Sequence, residues 1–279
     1  MKQHLTLLCF LFCIGALRAQ TNIDFGLSGG LAVYSGDLSP REVGFSFEDI
    51  GPATSVFLRF QFKDWIGLRT SLSYAYLNAD DRRSGNLFRD LSFQTNIYEA
   101  SGILEISPTN IGYYDSKAVF VPYLAIGVGL FGFNPKTMIN GELVELRPIG
   151  TEGQGLPNYD DYYSNTSLNF PFGLGVKIVV SDRLSFGVDV IGRKLQTDYL
   201  DDVSGTSVRY GDILENKGEL AARLSNPNLP LDTNPDRRYT RGGTFNDFYY
   251  MATVNFAYRI QSGRTVYKPG KKGVVCPRF

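Results

Sequence analysis

The sequence predicts an all-β fold, an eight-stranded antiparallel up-and-down transmembrane β-barrel with short periplasmic turns and long extracellular loops. Three observations predict it. Eight segments alternate apolar and polar residues with period two, the pattern of strands that show one face to lipid and the other to a lumen. Short and long connections alternate between those segments. No helix-length apolar stretch follows the first twenty residues, and without helices only a closed barrel satisfies every backbone group in lipid.

The chain opens with Lys2, an apolar run from Leu5 to Leu17, and Ala19-Gln20. This is the layout of a secretory signal, too short to span a bilayer as a helix, so residues 1–19 are expected to be cut away. A lipoprotein signal would carry a small residue before its acceptor cysteine, whereas Phe12 precedes Cys13 and Leu8 precedes Cys9. The barrel is then expected over 20–261 and a basic tail over 262–279.

The first strand sets Ile23, Phe25, Leu27, Leu31 and Val33 against Asp24, Gly26, Ser28 and Gly30. The second sets Val56, Leu58, Phe60 and Phe62 against Ser55, Arg59 and Gln61. In the third, Ile66, Leu68, Leu72, Tyr74 and Tyr76 alternate with Gly67, Arg69, Ser71 and Ser73. The fourth has Tyr98, Ala100, Leu104 and Ile106 against Glu99, Ser101 and Glu105. The fifth alternates Phe120, Leu124, Ile126, Val128 and Leu130 with Tyr123, Ala125, Gly127 and Gly129. Phe172, Leu174, Val176 and Ile178 face away from Gly173, Gly175 and Lys177 in the sixth. Leu184, Phe186, Val188 and Val190 do so from Ser185, Gly187, Asp189 and Arg193 in the seventh. The last sets Phe248, Tyr250, Val254, Phe256, Tyr258 and Ile260 against Asp247, Thr253, Asn255 and Arg259.

Strands two and three join through Lys63-Asp64-Trp65, six and seven through Ser181-Asp182-Arg183, and four and five through a stretch beginning Ser107-Pro108-Thr109-Asn110. The other connections are long, at 35–53, 78–90, 134–167 and 199–243. Outer-membrane barrels place short turns in the periplasm and long loops outside, and an even strand number puts both termini in the periplasm. A soluble lipocalin-like barrel is the alternative. Length, loop asymmetry and aromatic residues at strand ends (Tyr34, Trp65, Tyr74, Tyr76, Tyr199, Tyr258), which resemble interfacial girdles, weigh against it.

With polar faces inward, the lumen would carry Asp24, Glu99, Glu105, Asp189 and Asp247 against Arg59, Arg69, Lys177, Arg193 and Arg259. Eight strands leave an interior that side chains fill. Charges there persist only if they pair and share hydrogen bonds. Balanced signs predict a plug, where an ion pore would show an excess of one sign.

Signal removal would also strip chemistry. His4 is the single histidine, and Cys9 and Cys13 leave Cys276 as the last cysteine. The mature chain would then have no imidazole for general base catalysis and no zinc set; no cofactor and no small-molecule substrate are expected. A lipid-modifying barrel enzyme would need a histidine-activated nucleophile. Losing Lys2 and Arg18 takes the 28 basic side chains to 26 against 28 acidic, which gives no reason to expect nucleic-acid binding.

Asp198, Asp201 and Asp202 would contribute oxygen ligands to calcium or cap a solvated turn ended by Gly205; the turn is preferred. Asp160-Asp161 amid Tyr159, Tyr162 and Tyr163 reads as a partner-binding tip or, preferred, a self-packed loop. In the tail, Arg264, Lys268, Lys271, Lys272 and Arg278 would dock on an acidic partner or form a solvated end. Cys276 would form an intermolecular disulfide in an oxidising compartment or stay an inert thiol.

Six stretches carry a resemblance. They are Tyr34-Ser35-Gly36-Asp37-Leu38, Phe131-Gly132-Phe133-Asn134-Pro135, Arg147-Pro148-Ile149-Gly150-Thr151-Glu152-Gly153-Gln154, Phe170-Pro171-Phe172-Gly173-Leu174-Gly175-Val176-Lys177, Thr197-Asp198-Tyr199-Leu200-Asp201-Asp202-Val203-Ser204-Gly205 and Cys276-Pro277-Arg278-Phe279. Together they resemble the PorG-like outer-membrane barrels of the Bacteroidota type IX secretion and gliding machinery. The resemblance implies a non-enzymatic barrel seated with a periplasmic ring built from a lipoprotein and its partner subunit. The rival expectation is a free-standing surface barrel that binds outside ligands through its long loops.

Overall fold

A computed structural model describes residues 22–39, 49–63, 65–85, 89–107, 111–112, 119–243 and 245–261. The expected signal and the tail, with Lys268, Lys271, Lys272, Cys276 and Arg278, lie outside the described residues.

Eight long strands form the barrel: β1 (Asn22–Ser35), β2 (Ile50–Lys63), β3 (Ile66–Asp80), β4 (Ser92–Ile106), β6 (Val119–Gly132), β9 (Thr166–Val179), β10 (Leu184–Leu195) and β13 (Phe248–Gln261). Each pairs antiparallel with its neighbours in chain order, and β1 closes on β13 in a register that sets Leu27 opposite Phe256 and Ser28 opposite Asn255. A closed sheet has no edge strand to leave backbone groups unpaired. All eight strands stand where the period-two segments predict them.

Alternation of side chains sorts the residues. Leu72 is 63% exposed and Leu174 62%, with Leu27, Ile126 and Val254 similarly bare on the outer face. Arg59, Arg69, Glu105, Lys177 and Asp189 are buried inside. Space for the large inner side chains comes from glycines on facing strands. A Cβ at Gly26 would lie 2.2 Å from the Phe57 ring, and one at Gly175 would lie 2.3 Å from the Tyr123 ring.

Several strands run further than the alternation suggests, toward the end that carries the long loops, and there the two faces exchange character. Inside sit Ala75, Leu77, Ala79, Phe93 and Ile97, all buried. Outside, Tyr74 Oη donates to Asn96 Oδ1 at 2.8 Å and Tyr76 Oη to Gln94 Oε1 at 2.5 Å. The membrane pattern of apolar outside and polar inside becomes the pattern of a protein in water. The largest buried apolar cluster therefore lies in this looped mouth, where Tyr34, Leu38, Leu77, Phe93, Phe131, Leu200 and Tyr249 pack together.

Three of the long connections, and the shorter one after β4, fold further. After β3 comes α1 (Asp81–Ser84), capped by Asp80, whose carboxylate accepts from the Arg82 N–H at 2.8 Å. The connection after β4 holds β5 (Ile111–Gly112), paired to β6. Beyond β6, β7 (Lys136–Ile139) and β8 (Glu142–Glu145) form a hairpin. Its turn is Asn140-Gly141, both at positive φ, the dipeptide that a two-residue hairpin favours. Between β10 and β13, β11 (Ser207–Arg209), α2 (Tyr210–Lys217), α3 (Glu219–Ser225) and β12 (Arg238–Thr240) make a small lobe around Val208, Tyr210, Ile213, Ala221 and Ala222.

Candidate functional site

The inner face supplies one network that ties strands together across the barrel. Arg59 on β2 meets Glu105 on β4 at 2.8 Å, and Arg69 on β3 bridges Glu105 at 3.2 Å and Asp189 on β10 at 2.7 Å. Asp189 also accepts from Tyr123 (2.9 Å), Thr253 (2.6 Å) and Asn255 (3.0 Å). One layer nearer the looped end, Glu99 accepts from Arg193 at 3.1 Å, Asn169 at 2.8 Å and Tyr249 at 2.5 Å. At the turn end, Arg259 pairs with Asp24 at 2.8 Å and the Lys177 ammonium donates to Gln61 Oε1 at 3.1 Å. The Phe57 ring lies 5.0 Å from the Arg59 guanidinium and 5.7 Å from that of Arg69. Except for the partly exposed Arg259, these side chains are buried, so their pairs act at low dielectric, where a satisfied network is rigid and a broken one is costly.

Nine of the ten charges expected in the lumen are thereby placed on the inner face. Asp247 is not among them. It precedes β13 in the looped mouth, fully buried, where it accepts from the Leu200 N–H at 3.0 Å and its other oxygen lies 3.0 Å from the Tyr34 hydroxyl. The alternation of β13 extended by one residue suggests the lumen, but the chain has already turned into the cap.

The cap is the second part of the site. Arg241, 3% exposed, organises it. Its guanidinium donates to Thr151 Oγ1 at 2.5 Å and to the Asp202 carbonyl at 2.7 Å, and lies 3.4 Å from the Asp202 carboxylate and 3.6 Å from that of Glu152. Asp202 accepts from Thr151 at 2.5 Å and Tyr163 at 2.7 Å, and Glu152 accepts from the Ser204 N–H at 2.8 Å and hydroxyl at 2.5 Å. Arg147–Gln154 and Thr197–Gly205 thus dock on one another. Phe131 and Phe133 stack at 5.4 Å, Phe133 and Tyr163 at 6.2 Å, and Tyr163 and Tyr199 at 4.7 Å. Burial pushes the Glu152 carboxyl up to about 7, against the pull of Arg241 and Ser204. Burial, with Asp37 and Glu152 nearby, pushes Asp198 up to about 7.

Two expectations change here. Asp201 and Asp202 are buried and hydrogen-bonded, so the turn is a packed one and not a solvated one. Among the described residues no group of three or more His, Cys, Asp or Glu side chains is arranged to hold a metal. Tyr34 and Tyr199 are not interfacial aromatics: Tyr34 points into the mouth and Tyr199 stacks in the cap, while Trp65 is half exposed at the turn end. The tyrosine-acid loop packs on its own chain. Tyr159 donates to Asp212 at 2.8 Å, and Tyr162 accepts from Lys217 at 2.7 Å. Arg241, which lies in no alternating segment, gives no local signal in the sequence. A cleft of about 320 Å³ opens beside it, walled by α1, the β7–β8 hairpin and α3.

A family model described as outer membrane protein beta-barrel domain matches residues 5–211. No curated protein matches. Among solved structures, the chain is similar to Neisserial surface protein A, at 10% identity, 86% of this chain, 97% of that one and a TM-score of 0.38. It is similar to Ail, the attachment invasion locus protein of Yersinia pestis, in complex with the heparin analogue sucrose octasulfate, at 9%, 86%, 98% and 0.36. It is similar to the outer membrane protein OprG from Pseudomonas aeruginosa at 12%, 86%, 97% and 0.38. Barrels of the matched family lie in the outer membrane, where the bare Leu72 and Leu174 face lipid. With most of its length inside that domain and its strands closed on one another, the chain belongs to the outer membrane protein β-barrel family.

Proposed function

We propose that this outer-membrane barrel is a non-enzymatic anchoring component of a protein-secretion machine of the type IX kind and works by binding. The supporting observation is the filled interior. A lumen crossed by Arg69, Glu105 and Asp189, under a mouth covered by its own folded loops, leaves surfaces as the parts available for function. The PorG-like resemblance supplies the machine, and four of the stretches that carry it, Tyr34–Leu38, Phe131–Pro135, Arg147–Gln154 and Thr197–Gly205, contribute to the cap. In this reading the turn end and both termini face the periplasm. There Lys268, Lys271, Lys272 and Arg278 dock on an acidic face of the ring formed by a lipoprotein and its partner subunit, and Cys276 supplies the thiol for an intermolecular disulfide.

Deleting residues 262–279 tests this reading. Pull-downs from detergent-solubilised envelopes should lose the ring proteins, and export should fail while the barrel still folds. Unchanged export would support the rival instead, a surface barrel that binds outside ligands through the looped end, which the exposed Met138, Leu143 and Tyr162 favour.

A further inference from the structure

We propose that the cap is latched by a proton: Asp247 holds a hydrogen that it donates to the Tyr34 hydroxyl, and loss of that hydrogen in alkaline medium releases the cap from the barrel mouth. The reasoning is a proton count. Tyr34 Oη lies 2.6 Å from Asp201 Oδ2 and 3.0 Å from Asp247 Oδ1. A phenol has one hydrogen to give, and the shorter contact takes it. The second contact is then a hydrogen bond only if the Asp247 carboxyl supplies the hydrogen. The remaining oxygens are already used: Asp201 Oδ1 accepts from the Val203 N–H and Asp247 Oδ2 from the Leu200 N–H, both at 3.0 Å.

The surroundings agree with a neutral acid. Asp201 is 1% exposed and Asp247 0%, and among the described residues neither has an arginine or lysine at ion-pair distance. The charged groups facing them are Asp37 beyond β1, Asp198 on the same turn as Asp201, and Arg89 ahead of β4. Arg89 is held by both oxygens of Asp81, at 2.6 and 2.7 Å, and by the Asp37 carbonyl at 2.6 Å. Acids outnumber the cation. Burial, then Asp201 and Asp198, hold the Asp247 carboxyl well above the usual range. Gly36 leaves no room for a hydration shell, since a Cβ there would lie 2.0 Å from Asp247 Oδ1. An ionised Asp247 can reach water only if the mouth opens. The latch joins three parts of the cap, because Tyr34 belongs to β1, Asp201 to the turn after β10 and Asp247 to the entry of β13.

A group whose folded pKa is raised favours the folded state at low pH, and that advantage drains away as pH climbs toward the folded pKa. The cap should therefore be tightest in acid. Near-ultraviolet circular dichroism of the Phe133, Tyr163 and Tyr199 stack reports it, melted in detergent from pH 5 to 9. In the wild type the opening equilibrium should rise by up to about tenfold per pH unit for each proton lost. Asp247→Asn keeps both hydrogen bonds without an ionisable group, so its melting should match wild type at pH 5 and exceed it at pH 9. Equal slopes in the two proteins overturn the proposal. If the variant does not fold, infrared spectra of the wild type decide. Asp201 and Asp247 meet on Tyr34 and burial raises both, so a carboxylic-acid carbonyl band from this pair should persist above pH 8, where Glu152 and Asp198 have ionised, and its absence there overturns the latch.

Discussion

Replacing Arg69 by Met isolates the lumen network, because this one side chain joins the two acids on opposite walls. It lies 3.2 Å from Glu105 and 2.7 Å from Asp189 and is almost fully buried. Glu105 keeps Arg59 at 2.8 Å. Asp189 keeps the donors Tyr123, Thr253 and Asn255 but loses its ion-pair partner. At an effective dielectric near 20, a contact of this length has a gross attraction of about 6 kcal/mol. The three surviving hydrogen bonds offset part of that loss. Removing one partner of a buried pair costs about 3–5 kcal/mol, and the expectation for Arg69→Met is in that range. Adding Asp189→Asn removes the stranded charge and should recover about 2 kcal/mol of it. Urea unfolding of the detergent-folded barrel, followed by the Trp65 fluorescence and by the gel shift between folded and unfolded forms, measures both. A single-variant cost below about 1 kcal/mol, or no recovery in the double variant, would refute the view that the network crosslinks the barrel.

Two further outcomes follow from particular residues. Gly175→Ala should destabilise the barrel by about 1–3 kcal/mol through overpacking, since the new Cβ would meet Tyr123, whereas Gly29→Ala, with nothing within 4 Å, should change it by less than about 0.5 kcal/mol; the same urea titration compares them. Glu152, pushed up to about 7, favours the folded cap fully below the usual carboxylate range and less as pH rises toward 7. Glu152→Gln should therefore flatten the pH dependence of cap melting between pH 4 and 7, and an unchanged profile would remove Glu152 as its source.

The sequence by itself determined the strands, their number and which residue points which way. Period-two alternation is local, and lipid on one side with a narrow lumen on the other leaves each strand only one phase: Leu72 must face out if Arg69 and Ser71 face in. It also determined that the inner charges had to pair, because side chains fill an eight-stranded interior and an isolated charge among them is costly. The sequence did not show where lipid stops. Leu77, Ala79 and Phe93 continue the same alternation with the character of the faces exchanged, and nothing local separates that from a loop. Nor did it show the cap. Thr151, Asp202 and Arg241 sit far apart along the chain and meet only because the barrel rim brings the 134–167 and 199–243 connections together. The same holds for Tyr34 and Asp247, which are 213 positions apart. Alternation reads Tyr34 as a girdle aromatic and Asp247 as a lumen charge; the closure of β13 on β1 sets them against each other in the mouth, in contact with no solvent, and burial there decides their protonation.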